Sequence, residues 1–224
     1  MDNTASVGEQ LLHIARACGA TLAGIACADR LRGSPSHTAC ACRSLTESAR
    51  SVLVLALHHS ESDLELDSWG GEGGTRGNLQ LIRISREVAA QAVRHLGIAA
   101  RTLDYAPVPR GTFLKDAAVL AGLGVIGKNN LLITPGFGPR VRLRALALEA
   151  ELAPSTSDPF SPCSHCDRAC QTSCPQQAFA HRVFERDACT RQMNADESVA
   201  KDRADGYRIA YCRRCELSCP VGRR

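Results

Sequence analysis

Eight of the twelve cysteines lie between Cys163 and the C-terminus, and their spacing is that of metal ligands. They form the run Cys163-x2-Cys166-x3-Cys170-x3-Cys174-Pro175, then Cys189, then the run Cys212-x2-Cys215-x3-Cys219-Pro220. Two thiolates separated by two residues can bind neighbouring iron atoms from one tight turn. A Cys-Pro unit turns the chain away, so that its thiolate reaches an adjacent cluster. The pattern therefore predicts two cubane iron–sulfur clusters with crossed ligands.

The order of the motifs assigns four thiolates to each cluster. One set is Cys163, Cys166, Cys170 and Cys219, and the other is Cys174, Cys189, Cys212 and Cys215. Zinc also binds paired C-x2-C knuckles, but a zinc ribbon does not require a Cys-Pro unit after each third ligand. Unligated core cysteines would not repeat the spacing. The second gap of the first motif is three residues instead of two, which would reshape the loop around one iron without changing the number of ligands.

The four other cysteines lie far upstream of these motifs. Cys18 is predicted to be a core residue on a helix face, and Cys40 and Cys42 to be structural or surface thiols, with a functional role left open. The role of Cys27 is also open. A disulfide framework belongs to short secreted domains, and nothing here indicates secretion.

The length and hydropathy of the chain indicate a soluble protein. The apolar fraction is 44%, enough for a core, but no apolar run approaches the roughly 20 residues that a membrane span needs. No charged segment followed by an apolar one marks a signal peptide at the N-terminus. We therefore expect a location in the reducing cytoplasm. Aromatic residues are only 4%, which argues against a stacking platform for single-stranded nucleic acid.

The elements that must position the cysteines begin with a helix predicted over residues 5–18. Ser6 and Glu9 form a capping-box pattern at its start, and Gly19 ends it. A second amphipathic helix, ended by Gly97, buries a face of Leu81, Ile84, Val88, Ala92 and Leu96. Strands are predicted over residues 21–27, 51–57, 100–104, 131–134 and 141–148, and a further helix over 114–121.

Interleaved helices and strands of this kind predict an α+β class, with an α/β layered domain over residues 1–152. The Pro/Ser-rich stretch "APSTSDPFSP" (153–162) opens a second, small domain over residues 153–224.

A glycine-rich segment lies between these regions. Gly122-x-Gly124-x-x-Gly127 matches a dinucleotide fingerprint, which has meaning only after a strand and before a helix. Here a helix precedes it and a strand follows. "GLGVIGKN" is also close to a P-loop, but Asn129 stands where the Mg²⁺-binding hydroxyl is needed. The glycines are better explained by a tight turn or by backbone that approaches a flat ligand.

The segment "LDYAPVPRGTFLKDAAVLAGLGVIGKNNLLITPGFGPRVRLRAL" (103–146), followed by the two cysteine motifs, resembles the epoxyqueuosine reductase family and, more distantly, the reductive dehalogenases. The resemblance implies a nitroreductase-like N-terminal domain that binds cobalamin and a ferredoxin-like domain with two 4Fe-4S clusters. Electrons would pass from a low-potential donor of the ferredoxin or flavodoxin type through both clusters to the cobalt.

The resemblance also implies roles for individual residues. Asp104 aligns with the acid that such reductases place near the substrate as a proton donor, and Tyr105 and Pro107 could close an apolar pocket around it. The alternative is that Asp104 only caps the "DYAP" turn. The corrinoid-lining turn would consist of Gly122, Gly124, Gly127, Lys128, Asn129 and Asn130.

Two departures from the family pattern argue against a tRNA substrate. The chain ends shortly after Pro220, without the helical repeats that epoxyqueuosine reductases use beside tRNA, and "GGTRGNLQL" (73–81) replaces a segment that contains Tyr and His. We expect an iron–sulfur oxidoreductase that acts through cobalamin on a small molecule or nucleoside. The alternatives are an electron-transfer protein that reduces a separate corrinoid protein or reductase, and a ferredoxin-like module whose N-terminal domain only docks partners.

Overall fold

The computed structural model describes residues 3–40, 44–70, 74–104, 111–181, 183–201 and 208–223. The helices are α1 (Asn3–Ala17), α2 (Ala28–Arg32), α3 (Pro35–Cys40), α4 (Arg76–Leu96), α5 (Leu114–Leu120), α6 (Ala169–Thr172), α7 (Arg186–Lys201) and α8 (Arg214–Leu217), with a 3-10 turn at Leu64–Leu66. The strands are β1 (Leu22–Cys27), β2 (Ser51–His58), β3 (Ala100–Thr102), β4 (Val125–Ile126), β5 (Leu132–Ile133) and β6 (Val141–Leu148). None of the helices in these ranges is both long and apolar enough to cross a membrane.

The chain folds into two units, each assembled from separate segments. The sheet unit comprises Met1–Leu57, Leu81–Gly124 and Arg142–Pro159. The cysteine unit comprises His58–Gln80, Val125–Val141 and Phe160–Arg224. The domain boundary predicted between residues 152 and 153 stays a prediction. The units differ from it because residues 58–80 and 125–141 pack with the cysteine region.

The sheet unit contains a four-stranded sheet in the order β1-β2-β6-β3. Strands β1 and β2 are antiparallel, with Leu22 opposite Ala56, and β3 and β6 are antiparallel, with Ala100 opposite Leu148. The strands predicted over residues 21–27, 51–57 and 141–148 are thereby confirmed. The strand predicted over 100–104 is shorter and ends at Thr102.

Helices α1 and α4 supply the main core of the sheet unit. The predicted apolar face of α4 is buried through Leu81, Ile84, Val88 and Ala92, and it packs with alternate residues of β2. The helices end where glycines adopt positive φ, +106° at Gly19 and +66° at Gly97. The predicted start of α1 was wrong, because the helix begins at Asn3 and Ser6 lies inside it.

Helix α5 packs on the opposite face of β1. Ala23 and Ile25 belong to the main core, so Gly24 between them faces the other way. There a Cβ atom on Gly24 would lie only 2.3 Å from the carbonyl oxygen of Ala121, just after α5. The close approach of this helix end to the strand therefore depends on glycine.

The cysteine unit has little regular structure and a small apolar core. Strands β4 and β5 pair as an antiparallel hairpin, with Val125 opposite Ile133. A core cluster of Ala178, Phe179 and Ala188 is supplemented by the partly buried Phe184 and by three cysteines, Cys174, Cys189 and Cys215.

Gly24→Ala should destabilise the sheet unit by about 1–3 kcal/mol, because the added methyl group overlaps backbone that cannot move freely. Gly33→Ala is the matched control, since a Cβ there meets its nearest atom at an ordinary 3.5 Å. Denaturant unfolding followed by circular dichroism measures both. Equal stability of the two variants would contradict the packing described here.

Candidate iron–sulfur centres

Short helices and loops of the cysteine unit position the eight thiols. Cys170 lies in α6, Cys189 in α7 and Cys215 in α8, whereas the others occupy the adjoining loops. Helices α6 and α8 contact each other. The Ser218 hydroxyl donates to the Ser173 hydroxyl at 2.8 Å, which joins the C-terminal ends of the two helices. The two cysteine runs are thereby held side by side, and all eight cysteines are free thiols.

Four thiols lie close enough together to shift one another's pKa values, and they form the first group. Burial and, after it, the neighbouring Cys219, Cys166 and Cys163 together raise the pKa of Cys170 to about 11. Burial also raises the pKa of Cys219, and Cys163 and Cys166 contribute to it. Cys219 therefore lies with the first cysteine run, although it belongs to the last.

The second group is recognised in the same way. Burial raises the pKa of Cys215 to about 12, with contributions from Cys212, Cys189 and Cys174. Burial raises the pKa of Cys189, and Cys174 and Cys212 raise it further. Cys174 therefore lies with the last cysteine run, although it belongs to the first.

These groups contain the same thiols as the two ligand sets that the spacing predicts. Within the described ranges, no three His, Cys, Asp or Glu side chains converge tightly enough to hold a single metal ion. A cubane differs from a single ion because each thiolate binds its own iron atom, so the four sulfur atoms stand farther apart. Four thiols per group therefore fit a 4Fe-4S cluster by number and chemistry. The raised pKa values mean that iron must displace protons when it binds.

The turn at residues 127–130 contacts the loops of both groups. The Lys128 ammonium donates to the carbonyl oxygen of Cys163, and the Asn129 amide Nδ2 donates to that of Cys215 at 3.2 Å. Oδ1 of Asn129 accepts from the Leu131 amide at 3.2 Å, and the side chain is buried. The turn thus holds one carbonyl from each cysteine run.

The glycines of this segment are required by packing within each unit. In the sheet unit, Gly122 has φ +70°, and a Cβ on it would lie 3.1 Å from the backbone of Thr156. In the cysteine unit, a Cβ on Gly127 would lie 2.6 Å from Ile133. Gly124 has φ +158° and Asn130 has φ +58°, both positive. The predicted contact of these residues with a corrinoid stays a prediction.

Arg140 is a buried cation beside the first group. Its side chain is only 2% exposed, and its guanidinium donates to the carbonyl oxygens of Cys219, at 3.2 Å, and of Val221. Oε1 of Glu61 lies 3.4 Å from Nη1 of the Arg140 guanidinium. The arginine lowers the pKa of the Cys219 thiol, in opposition to burial. It therefore stabilises negative charge on this group.

Two carboxylates lie beside cysteines of the second group. Glu216 is buried and raises the pKa of Cys215, and Asp196 raises that of Cys189. Asp196 also accepts from the backbone amide of Cys212 at 2.8 Å. These carboxylates disfavour added negative charge.

A chain of ion pairs supports the second cysteine run. Arg213 pairs with Glu216 and with Asp67 at 2.6 Å, and Asp67 contacts Nδ1 of the fully buried His59 at 2.8 Å. Gly77 lies against this histidine, where a Cβ would come within 2.3 Å of the ring. No local sequence pattern predicts the Asp67–Arg213 pair, because these two residues are far apart in the chain.

Asp104 is an exposed residue that follows β3. Its carbonyl oxygen accepts from the Thr112 amide at 2.7 Å. Tyr105, Pro107 and the pocket predicted around them lie outside the described residues. The roles of Asp104 as proton donor or as turn cap therefore both stay predictions.

Of the upstream cysteines, Cys18 was predicted as a core residue on a helix face; it directly follows α1 and packs, partly buried, against the main core of the sheet unit. Cys27 precedes the first turn of α2. Cys40 ends α3, whereas Cys42 lies outside the described residues.

Sequence comparison identifies relatives that the chain matches over part of their length. The chain is 33% identical over 114 residues to a tetrachloroethene reductive dehalogenase of Desulfitobacterium hafniense, covering 47% of this chain and 21% of that protein. It is 30% identical over 117 residues to the epoxyqueuosine reductase of Listeria monocytogenes, covering 49% and 30%. The chain is a homologue of these two groups of reductases. No protein-family model matches it.

Solved structures share the fold of this chain. An epoxyqueuosine reductase with a tRNA-Tyr stem loop matches 97% of this chain and 65% of its own, with a TM-score of 0.67 and 18% identity. A catabolic reductive dehalogenase in complex with 3-bromo-4-hydroxybenzoic acid matches 100% of this chain and 33% of its own, with a TM-score of 0.69 and 19% identity. The mixed α/β fold is thereby confirmed. The nitroreductase-like and ferredoxin-like layout stays a prediction.

The crossed arrangement predicts the outcome of two double substitutions. Cys166→Ala with Cys219→Ala should retain about half of the roughly eight iron atoms expected per chain, because both thiols serve one cluster. Cys166→Ala with Cys174→Ala should lose nearly all the iron, because both clusters are damaged. Iron and acid-labile sulfide in anaerobically purified protein measure this.

The reverse pattern would show that each motif binds its own cluster. Stoichiometric zinc without sulfide would contradict the cluster assignment itself. Each single variant is the control, since each should lose about half of the iron.

Arg140→Gln should lower the midpoint potential of the cluster that Cys219 serves by tens of millivolts, on the order expected for loss of one nearby charge. Arg140→Lys should restore most of the potential. Arg223→Gln is the control, because Arg223 also lies near Glu61 but is half exposed. Anaerobic redox titration followed by electron paramagnetic resonance measures each cluster. An unchanged potential in Arg140→Gln with full iron content would contradict the electrostatic role of Arg140.

Proposed function

We propose that the chain is an iron–sulfur oxidoreductase that passes electrons through two 4Fe-4S clusters to a cobalamin and on to a small-molecule or nucleoside substrate. The observation that carries the proposal is the division of eight free thiols into two groups of four. The chain spans about a fifth to a third of the curated relatives that it matches, so their activities support the reaction class without assigning a substrate.

The residues of the cysteine unit hold the clusters and control their surroundings. Four thiolates from two different runs hold each cluster, so neither run can move without disturbing both. Bound clusters supply one-electron carriers at low potential. The cysteines must stay reduced to bind iron, and we therefore propose a reducing, cytoplasmic setting.

Cobalamin is proposed from homology. A related structure is described as suggesting a mechanism for B12-dependent dehalogenation, and 100% of this chain matches its fold. Bound cobalamin would supply a strongly reducing metal centre for the substrate. In the segment 122–130, Gly122 and Gly127 are explained by close packing against other residues of the protein, and Asn129 is explained by its hydrogen bond to Cys215. The proposal of cobalamin therefore rests on homology and not on this segment.

Asp104 is the proposed proton donor. It lies just after β3, and its carbonyl oxygen accepts a hydrogen bond from the Thr112 amide, while its exposed side chain is accessible to a substrate. The role of Asp104 would be to hold a proton on its carboxyl group and release it to the reduced substrate.

A second candidate function is electron transfer without substrate chemistry. It is favoured by the hydrogen bonds of Lys128 and Asn129. These side chains were predicted to line a corrinoid, but they bind carbonyl oxygens of the cysteine loops. In this case the chain would take electrons from a low-potential donor and reduce a separate corrinoid protein or reductase.

Cobalamin binding and an Asp104→Asn variant distinguish these functions. Iron-loaded wild-type protein should bind added cobalamin and reduce it with a low-potential donor, as seen by anaerobic absorbance spectroscopy. Asp104→Asn should bind and accept electrons equally well, but its turnover of a halogenated test substrate should fall by about 100-fold or more.

Asp158→Asn is the control, since Asp158 is another exposed carboxylate of the sheet unit. Absence of cobalamin affinity in iron-loaded protein would support the electron-transfer function instead. Equal turnover by wild type and Asp104→Asn would remove Asp104 from the mechanism.

A further inference from the structure

An open cleft of about 760 Å³ lies in the cysteine unit beside the second group of thiols. Its lining includes Cys212, Asp196 and three arginines, Arg213, Arg214 and Arg223. Pro175 and Leu217 add apolar surface. The cleft therefore combines a predicted cluster ligand with positive charge and a small apolar contact area.

Cys212 is the most accessible of the eight predicted ligands. It is exposed, whereas Cys170 and Cys219 are buried and the other five are half-buried. Electron transfer weakens steeply with distance, so an electron enters most readily where a ligand reaches the surface. An electron would therefore reach a cluster bound by the second group most readily through Cys212 at this cleft.

The charges of the cleft favour a negatively charged partner. Arg213 is compensated by Asp67 and Glu216, to which it is paired. Arg214 is exposed, and Arg223, whose side chain is 50% exposed, lies 3.5 Å from Glu61. Positive charge at the rim attracts an acidic protein and raises its rate of association, with a strong dependence on salt.

We propose that this cleft is the docking surface for an acidic one-electron carrier protein. The proposal rests on the proposed function and adds the entry point for electrons. Cys174, Cys189, Cys212 and Cys215 would hold the cluster that accepts one electron from the reduced carrier. The carrier would be oxidised by one electron, and no covalent bond would form or break.

The size and openness of the cleft suit such a partner. Electron-transfer complexes are transient and bury less surface than stable complexes, below about 1,200 Å² in total. A few rim charges and a small apolar contact are enough to orient a carrier of this kind. The exposed thiol of Cys212 is part of the surface that the carrier would contact.

The test is the rate at which a reduced acidic ferredoxin transfers electrons to iron-loaded protein in anaerobic stopped-flow experiments. The double variant Arg214→Glu, Arg223→Glu should lower the second-order rate constant at least 10-fold at low ionic strength. The difference should shrink as salt is added. Reduced methyl viologen, a small cation, should reduce the variant at least as fast as wild type.

Arg94→Glu is the charge control. Arg94 is exposed on α4 in the sheet unit, so its reversal changes the net charge without changing the cleft. Single Arg214→Gln and Arg223→Gln variants decide the matter if the double variant loses iron, and each should lower the rate about 2-fold or more.

Equal rates with ferredoxin for wild type and the iron-loaded cleft variants would overturn the proposal. It would also be overturned if the variants kept the ferredoxin rate but bound an anionic test substrate more weakly, since the cleft would then be a substrate site. Failure of the proposed function looks different, because wild-type protein would then hold no iron–sulfur clusters or accept no electrons from viologen.

Discussion

Backbone carbonyls of the cysteine loops are fixed by three side chains from one short segment. Lys128 binds the carbonyl of Cys163, Asn129 that of Cys215, and Arg140 that of Cys219. Loops without regular structure leave many carbonyls without ladder partners, and each buried one needs a donor. The segment 125–141 provides these donors, and it thereby holds parts of both thiol groups in place.

The cysteine unit depends on these hydrogen bonds because its apolar core is small. The apolar cluster of the core consists of Ala178, Phe179 and Ala188. Its burial is too small to offset the conformational entropy that is lost when so many loop residues become ordered. Partly buried cysteines pack around that cluster, so the same residues that would bind iron also complete the core. Metal binding to such a site is coupled to folding, because a preformed set of thiolates does not exist in the unfolded chain.

The sequence predicted what depends on local pattern. The apolar face of α4, its end at Gly97 and the long strands follow from periodicity and from a residue that tolerates positive φ. The Cys-Pro units predicted which thiols lie near one another, and their binding of iron stays a prediction. The contacts of Arg140 and Asn129 with the cysteine loops could not be found in this way, because each side chain binds a carbonyl about 80 residues away in sequence. The start of α1 was also missed, since a helix can begin before a residue that resembles a cap.

The charges around the two groups differ in a way that bears on the direction of electron flow. Reduction adds negative charge to a cluster, so nearby carboxylates lower its potential and a nearby cation raises it. Glu216 and Asp196 lie by the second group, whereas Arg140 lies by the first. If the chain holds the two proposed clusters, these three charges make an electron more stable on the cluster beside Arg140 than on the cluster beside Glu216 and Asp196.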